Sequence, residues 1–117
     1  MFALNRRLEI TLTPRQPGPD AYDWVDLDLP EARVGKMRCR LEPDRATVYS
    51  VHVFPEYQGQ GYGRQIIDYL KERFEVIEAN RVRPTAVPFW EHMGFREKEE
   101  GNWEFSRGAT NVKQTKA

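Results

Sequence analysis

The sequence has little of several features that would narrow its function at once. Its 117 residues include a single cysteine, Cys39, so an internal disulfide is excluded. Lys plus Arg and Asp plus Glu number 18 each, which gives a formal net charge of zero. Binding to bulk nucleic acid or to an anionic membrane needs a basic surplus, so we expect neither partner. No apolar run approaches the ~20 residues of a membrane span, and no secretory signal begins the chain. We therefore expect a cytoplasmic protein.

The length and the polar end of the chain predict one domain followed by a short tail. A chain of this size forms one domain with a modest core. The last ten residues, GATNVKQTKA, are small and polar, which is typical of a disordered terminus. We expect a folded domain over residues 1–107 and a disordered tail over 108–117.

Alternation of apolar and polar residues predicts four strands in the first half of the chain. These strands are 8–13, 22–29, 33–41 and 46–53. A proline-rich loop, Pro14 to Asp20, follows the first strand, and a Pro-Asp turn precedes the fourth. The fourth strand is more evenly apolar, which predicts a central strand with both faces covered.

The second half alternates between helix and strand. An apolar stripe of Tyr62, Ile66, Tyr69 and Leu70 predicts a helix from about Gln60 to Arg73. A short strand follows over 74–79, then a helix that has proline early and ends at a glycine, and last a hairpin. The sequence thus predicts an α/β fold of the α+β type, with a mixed sheet and the order β-β-β-β-α-β-α-β-β. The crossover through the first helix should be right-handed and make two strands parallel.

Three glycines, Gly59, Gly61 and Gly63, mark the start of the first predicted helix. A glycine-rich turn before a helix exposes backbone N–H groups and the positive end of the helix dipole, which together bind anions. The spacing is not that of a dinucleotide fingerprint, and no Gly-Lys-Ser/Thr of a P-loop follows. From the spacing alone, a tight turn without a ligand remains the alternative.

Two motifs resemble one family. Residues Gln58-Gly59-Gln60-Gly61-Tyr62-Gly63 are similar to the Gln/Arg-x-x-Gly-x-Gly/Ala motif of the GCN5-related N-acetyltransferase (GNAT) family. AVPFWEHMGF, residues 86–95, resembles the family's second signature, Ala-x-x-Phe-Tyr-x-x-x-Gly-Phe. The motifs occur in the family's order, separated by a helix and a strand. The resemblance covers about 41–107 and, more loosely, the first three strands.

The resemblance implies acetyl-coenzyme A as co-substrate and no metal. Backbone amides from Gln58 to Arg64 would hold the pyrophosphate, and the pantetheine arm would lie in a gap where the fourth strand splays from the fifth. The implied coenzyme-binding residues are Val51, Val53, Gln58, Gly59, Gln60, Gly61, Tyr62, Gly63, Arg64 and Trp90. A solvated helix position is the alternative for Arg64, and a core anchor is the alternative for Trp90.

The catalytic positions of the family are filled differently here. The family often has a glutamate or histidine base on the fourth strand, where the usual inward positions are Thr47, Tyr49 and Val51. His52 is the only strand residue that titrates near neutral pH, and it shares a face with Tyr49 only if a bulge intervenes. We take Tyr49 and His52 as candidate catalytic residues, with a hydrogen-bonded core histidine as the alternative for His52. Trp90 occupies the place of the family's tyrosine acid.

The two helices that usually follow the first strand in this family are missing. They normally wall the acceptor cleft, and here only the proline-rich loop fills their place. The second and third strands each put charged residues on one face, which are Asp26, Asp28, Lys36, Arg38 and Arg40. Cross-strand ion pairing is the favoured interpretation, and a surface for an acidic substrate is the alternative.

Aromatic residues stand at one end of this charged face. Tyr22 and Trp24 lie beside the proline-rich loop, and aromatic anchors within a charged rim are common at interfaces. We predict that residues 14–24 contact a second copy of the chain or a macromolecular substrate. The alternative is that Trp24 packs under the loop.

These inferences give one leading function and one alternative. The leading hypothesis is an acetyl-coenzyme A dependent N-acetyltransferase that acts directly on an amine of a small molecule or protein, since Cys39 has no evident base for a covalent relay. The alternative is an acyl-coenzyme A binding module that is catalytically weak and regulates a protein partner.

Overall fold

The computed structural model describes residues 6–19 and 21–108. The strands are β1 (Glu9–Thr13), β2 (Asp23–Leu29), β3 (Ala32–Leu41), β4 (Arg45–Val53), β5 (Val76–Ala79), β6 (Arg96–Glu99) and β7 (Asn102–Ser106). The helices are α1 (Tyr62–Arg73) and α2 (Val87–His92), and a 3-10 turn precedes each of them, at Pro55–Tyr57 and Pro84–Ala86. The predicted order of strands and helices is confirmed. The predicted tail beyond residue 108 lies outside the described residues.

All seven strands form one mixed sheet in the order β1-β2-β3-β4-β5-β7-β6. Only β4 and β5 are parallel, pairing Arg45–Val48 with Val76–Ala79, and the other neighbours are antiparallel. The parallel pair is the one that α1 connects, as the sequence predicts. Within the described ranges, no helix is long and apolar enough to cross a membrane.

Both helices cover the same face of the sheet. They are neighbours, because a Cβ at Gly63 in α1 would lie 3.4 Å from the ring of Phe89 in α2. The helical residues buried in the core are Tyr62, Ile66, Ile67, Leu70 and Trp90. The strand residues buried beneath them include Val25, Leu27, Leu29, Met37, Cys39, Ala46, Val48, Ile77, Ala79 and Trp103. The core is therefore a single layer between the sheet and the two helices.

No described helix covers the opposite face of the sheet, which we call the open face. Lys36, Arg38 and Arg40 of β3 lie there, each in register with a β4 residue, and Glu78 and Glu104 lie there on β5 and β7. The prediction that both faces of β4 are covered is wrong, since Ser50 and His52 are exposed. The apolar composition of β4 serves the helix-covered face alone.

One buried carboxylate fixes the proline-rich loop. The side chain of Asp23 is 6% exposed. It accepts hydrogen bonds from the Arg15 backbone N–H at 2.8 Å, from the Arg15 guanidinium at 3.2 Å and from the Leu41 N–H at 2.6 Å. Buried charges persist where such partners compensate them. Asp23 thus ties the loop to the ends of β2 and β3.

Candidate coenzyme site and acceptor face

A gap opens in the sheet between β4 and β5. Their pairing stops at Val48 and Ala79, where the Asn80 N–H donates to the Val48 carbonyl at 2.9 Å. β4 then continues from Tyr49 to Val53, and no described strand pairs with that edge. The gap lies where the predicted splay of the fourth and fifth strands places it.

The hydrogen-bond pattern shows which backbone groups face the gap. Antiparallel neighbours alternate between hydrogen-bonded and non-hydrogen-bonded pairs. The Phe54 N–H donates to the Val34 carbonyl at 2.8 Å, so the pair two residues back, His52 with Lys36, is also of the bonded type. The N–H and C=O groups of Val51 and Val53 therefore point away from β3, toward the gap.

The side chain of Gln58 occupies the end of this edge at Val53, the last residue of β4. Its Nε2 donates to the Val53 carbonyl at 2.8 Å. The N–H and C=O of Val51 therefore remain available to a ligand in the gap. The Gln58 N–H donates to the Pro55 carbonyl at 3.3 Å within the 3-10 turn. Gln58 thus positions the glycine segment, while the amides available to a ligand follow it in the chain.

The glycine segment ends in an uncapped helix start. Gly59 and Gly61 have φ of 78° and 89°, in the left-handed region that glycine favours. Gly61 is the N-cap of α1 and no side chain caps the helix. The first helical hydrogen bond is from the Gln65 N–H to the Gly61 carbonyl at 3.1 Å. The N–H groups of Tyr62 to Arg64 precede it and are the amides that a helix start leaves for a ligand.

This helix begins later than the sequence predicted. We expected its start near Gln60, whereas α1 starts at Tyr62. The left-handed backbone of Gly61 cannot be part of a right-handed helix, and the 3-10 turn takes up residues 55–57. The Gln60 side chain donates to the Glu56 carbonyl at 3.3 Å instead of facing the gap.

The gap and the glycine segment form one cavity of about 1000 Å³. This is at the upper end of the range for small-molecule and cofactor sites. Of the predicted site residues, the cavity is lined by Tyr49, Val51, His52, Val53, Gln58, Gly59, Gly61, Tyr62, Gly63, Arg64 and Trp90. Gln60 is the predicted residue that does not line it.

Several lining residues were not predicted. Tyr57, Asn80, Phe89 and His92 also line the cavity. His92, at the end of α2, places its Nε2 3.0 Å from the guanidinium of Arg64 at the start of α1. These two residues are 28 positions apart, and only the packing of the helices brings them together, so no sequence pattern could have indicated the pair.

A β-bulge decides where the two candidate catalytic side chains lie. Ser50 pairs with Arg38 and Val48 with Cys39, so Tyr49 is the extra residue of β4. The bulge shifts the alternation, so that Val48 and Val51 face the helices while His52 joins the open face. The ring of Tyr49 packs edge-on against that of Tyr22, at 5.2 Å between centroids.

Exposure decides between the two interpretations of His52, whereas both interpretations apply to Trp90. His52 is exposed and its ring lies 5.3 Å from that of Phe54, so the core-histidine alternative is wrong. Trp90 is 7% exposed and packs edge-on against Phe89 and Phe95, at 5.1 Å and 4.8 Å. Trp90 is thus a core anchor that also borders the cavity.

Cys39 is unsuited to a covalent relay. Its side chain is fully buried, and burial, followed by the nearby Asp23 charge, raises the pKa of the thiol to about 12. The thiol donates a weak hydrogen bond to the Asp23 carbonyl at 3.6 Å. Because a thiolate is the nucleophile, Cys39 has almost none of the reactive form at neutral pH.

The predicted ion pairing between the two charged rows does not form among the described residues. Arg33 binds both aspartates instead, at 3.4 Å to Asp26 and 2.8 Å to Asp28. Its forked guanidinium stands directly opposite Asp28 and reaches both carboxylates. The favoured interpretation of the lysine and arginine row is therefore wrong.

Lys36, Arg38 and Arg40 make other contacts. Lys36 lies over the Trp24 ring at 5.5 Å and Arg38 over the Tyr22 ring at 4.8 Å. Arg40 donates to the carbonyls of Ala21 and Pro19 at 3.3 Å and 3.5 Å, which are backbone groups of the loop and its end. Trp24 is 42% exposed, so the alternative that it packs under the loop is wrong.

Comparison with known proteins gives one family. The model of the family described as Acetyltransferase (GNAT) domain matches residues 22–97. An uncharacterized N-acetyltransferase of Oceanobacillus iheyensis is 36% identical over 52 residues, 44% of this chain and 32% of that protein. The [ribosomal protein bS18]-alanine N-acetyltransferase of Escherichia coli K12 is 31% identical over 61 residues, 46% of this chain and 41% of that protein. The chain thus spans about a third to two fifths of these relatives.

Solved structures share the fold. The N-acetyltransferase YlbP of Bacillus subtilis, in complex with coenzyme A, superposes with a TM-score of 0.61 at 18% identity, covering 74% of this chain and 68% of that one. YhhK of E. coli, a protein solved bound to coenzyme A, gives a TM-score of 0.69 at 13% identity, covering 86% of this chain and 98% of that one. At these identities the likeness is one of fold.

Proposed function

The chain belongs to the GNAT family of acetyltransferase domains, and on this premise we propose that it binds acetyl-coenzyme A and transfers the acetyl group directly to an amine. The predictions of the family and of the fold are confirmed. The activity, the coenzyme and the roles of single residues are proposals, which the geometry of the cavity supports.

One observation carries the proposal. The cavity joins the free strand edge at Val51 to the uncapped start of α1, and the two offer different backbone donors. The pantetheine arm, which contains amides, pairs with the strand edge in the manner of an added strand. The pyrophosphate lies on the N–H groups of Tyr62 to Arg64, where the helix dipole favours an anion. Arg64 supplies a cation beside it, and His92 holds the guanidinium in place.

The acetyl group then lies near the bulge of β4. The amine nitrogen attacks the thioester carbonyl carbon, the negative charge develops on the carbonyl oxygen, and the carbon–sulfur bond breaks as the tetrahedral intermediate collapses. Free N–H groups on the strand edge are the donors available to the oxygen. The amine gives its proton to water and the departing thiolate takes one from water. We assign assistance in these proton transfers to Tyr49 and His52, and we expect neither to be essential.

A two-stage experiment tests the proposal. Calorimetric titration with acetyl-coenzyme A should show one site, and thiol release should then follow in a screen of amines, peptides and polyamines. Binding without thiol release from any acceptor would leave a coenzyme-binding module. The absence of binding by a folded protein would refute both the coenzyme and the activity.

A single substitution tests the strand edge itself. Val51→Pro removes an N–H that faces the gap and no hydrogen bond of the sheet. We expect coenzyme affinity to fall at least tenfold. Ser50→Pro is the matched control, because the Ser50 N–H faces β3. That variant should lower the stability of the fold more than it lowers coenzyme affinity. Equal coenzyme affinity in folded Val51→Pro and in the unmodified protein would contradict the pantetheine placement.

A further inference from the structure

We propose that the acceptor amine belongs to an acidic polypeptide, which binds in extended form along the open face beside the bulge of β4. This inference rests on the proposed acetyltransferase function and names the class of its substrate. The residues that would hold the peptide are Lys36 and Arg38, which we call the basic row, with Trp24 beside them.

The basic row lies next to the end of the cavity at Ser50 and His52, which we call the acceptor end. Lys36 is in register with His52 and Arg38 with Ser50, and both of these β4 residues line the cavity. Neighbouring strands are ~4.8 Å apart. An acceptor on the basic row therefore lies one strand away from the gap where the thioester would end.

The basic row makes no salt bridge with the described acidic residues of the same face, although Asp26 stands opposite Lys36 on β2. Arg33 holds Asp26 and Asp28, and among the described residues neither Lys36 nor Arg38 has a salt bridge. The Nε of Arg38 is buried and has no hydrogen-bond partner among them. A carboxylate brought to the terminal nitrogens of this guanidinium would therefore compensate a charge that no described acidic side chain compensates in the free protein.

Aromatic rings hold the two cations in place. Lys36 lies over Trp24 and Arg38 over Tyr22, at 5.5 Å and 4.8 Å. A guanidinium stacked on a ring keeps its N–H edge free for a carboxylate. The Trp24 ring, 42% exposed, adds an apolar surface for the stem of a peptide side chain.

The spacing of the basic row matches an extended peptide. Residues two apart on a strand are ~6.7 Å apart, and side chains on one side of an extended peptide repeat at the same distance. Carboxylates at alternate positions of the peptide therefore reach Lys36 and Arg38 together. The open face has room for a polymer because no described helix covers it.

Binding to the coenzyme-loaded protein is the first test, because it does not depend on turnover. A fluorescent peptide with glutamates at alternate positions is titrated into protein saturated with coenzyme A, and anisotropy is read. We expect it to bind at least tenfold more tightly than the same peptide with glutamines, with an advantage that shrinks as salt rises. Equal affinity for the two peptides overturns the proposal.

Paired variants locate the binding. The double variant Lys36→Gln with Arg38→Gln should remove the tenfold preference for the glutamate peptide. Lys36→Gln alone, at an exposed position, should reduce that preference about threefold. The matched control is Arg96→Gln with Lys98→Gln, which changes the net charge equally on β6 at the far edge of the sheet. An equal loss in the control means that only net charge matters and overturns the proposal. So does a free dicarboxylic amino acid that binds as tightly as the peptide.

Acetylation of the peptides separates this inference from the proposed function. If acetyl-coenzyme A drives thiol release with neutral and acidic peptides at the same kcat/KM, the acetyltransferase stands and the acidic acceptor fails. If the acidic peptide binds through the basic row but no thiol is released from any acceptor, the docking surface stands and the transferase fails.

Discussion

The two ends of the cavity differ in what supplies their polar groups. At the coenzyme end the donors are backbone N–H groups, from Tyr62 to Arg64 and along the free edge at Val51. At the acceptor end they are side chains, chiefly Tyr49, Ser50 and His52, which the bulge brings to the cavity wall. On our proposal, a ligand common to a whole family would be held mainly by the main chain, with Arg64 beside it, while side chains would line the wall that meets the acceptor.

This difference predicts how each end responds to substitution. A backbone site is insensitive to most side chains, but it is sensitive to changes of φ and to added negative charge. A site built from side chains loses much activity on a single replacement only if the replaced group is essential. The following four predictions test this contrast, from the largest expected effect to the smallest.

Gly61→Asp should abolish coenzyme binding, with a loss of at least a thousandfold, about 4 kcal/mol. The change puts a carboxylate at the N-cap of α1, where the pyrophosphate would lie. Gly61→Asn is the matched control, because asparagine also tolerates the left-handed backbone and differs mainly in charge. Calorimetry should show a much smaller loss for Asn. Similar losses in both variants would mean that backbone strain, not phosphate repulsion, is responsible.

Asp23→Ala should reduce the free energy of unfolding by about 3 kcal/mol, because it leaves the Arg15 and Leu41 N–H groups without their acceptor. Asp26→Ala on the same strand, where the side chain is partly exposed on the open face, should cost less than ~1 kcal/mol. Urea denaturation measures both. Because Asp23 fixes the loop near the acceptor face, coenzyme affinity should change less than threefold. A loss of coenzyme affinity beyond that would show that the two ends are not independent.

Tyr49→Phe and His52→Ala should each lower kcat by less than tenfold, under ~1.4 kcal/mol of barrier. If the amine loses its proton to water, the rate should rise with pH toward the pKa of the amine, in the variants as in the unmodified protein. Steady-state pH profiles check this. A thousandfold loss in either variant at unchanged coenzyme affinity would identify that residue as an essential acid or base.

Trp24→Ala should change stability least, by less than ~1 kcal/mol, since the ring is exposed and covers little of the core. It should weaken self-association or activity on a large acceptor while activity on a small amine is kept. Sedimentation measures self-association, and acetylation assays with a large acceptor and with a small amine measure the two activities. A monomer in both proteins, with a clearly less stable variant and unchanged activities, would show that residues 14–24 form no intermolecular contact.

The sequence by itself determined the strand and helix order, the family and the position of the glycine segment before α1. These depend on local rules, namely alternation, the left-handed preference of Gly59 and Gly61, and the proline and glycine at the ends of α2. Such signals lie within a few residues of the structure they specify, so one sequence suffices to find them.

The tertiary structure alone decided which face the polar side chains meet and which partners they take. The alternation of β4 could not reveal the bulge at Tyr49, because a bulge depends on the pairing with β3. Arg64 meets His92, Asp23 meets Arg15 and Leu41, and Arg33 takes both aspartates. Each of these contacts depends on how separate elements pack or pair. Where several ion pairs are possible, the three-dimensional distances between the charged groups determine which pair forms.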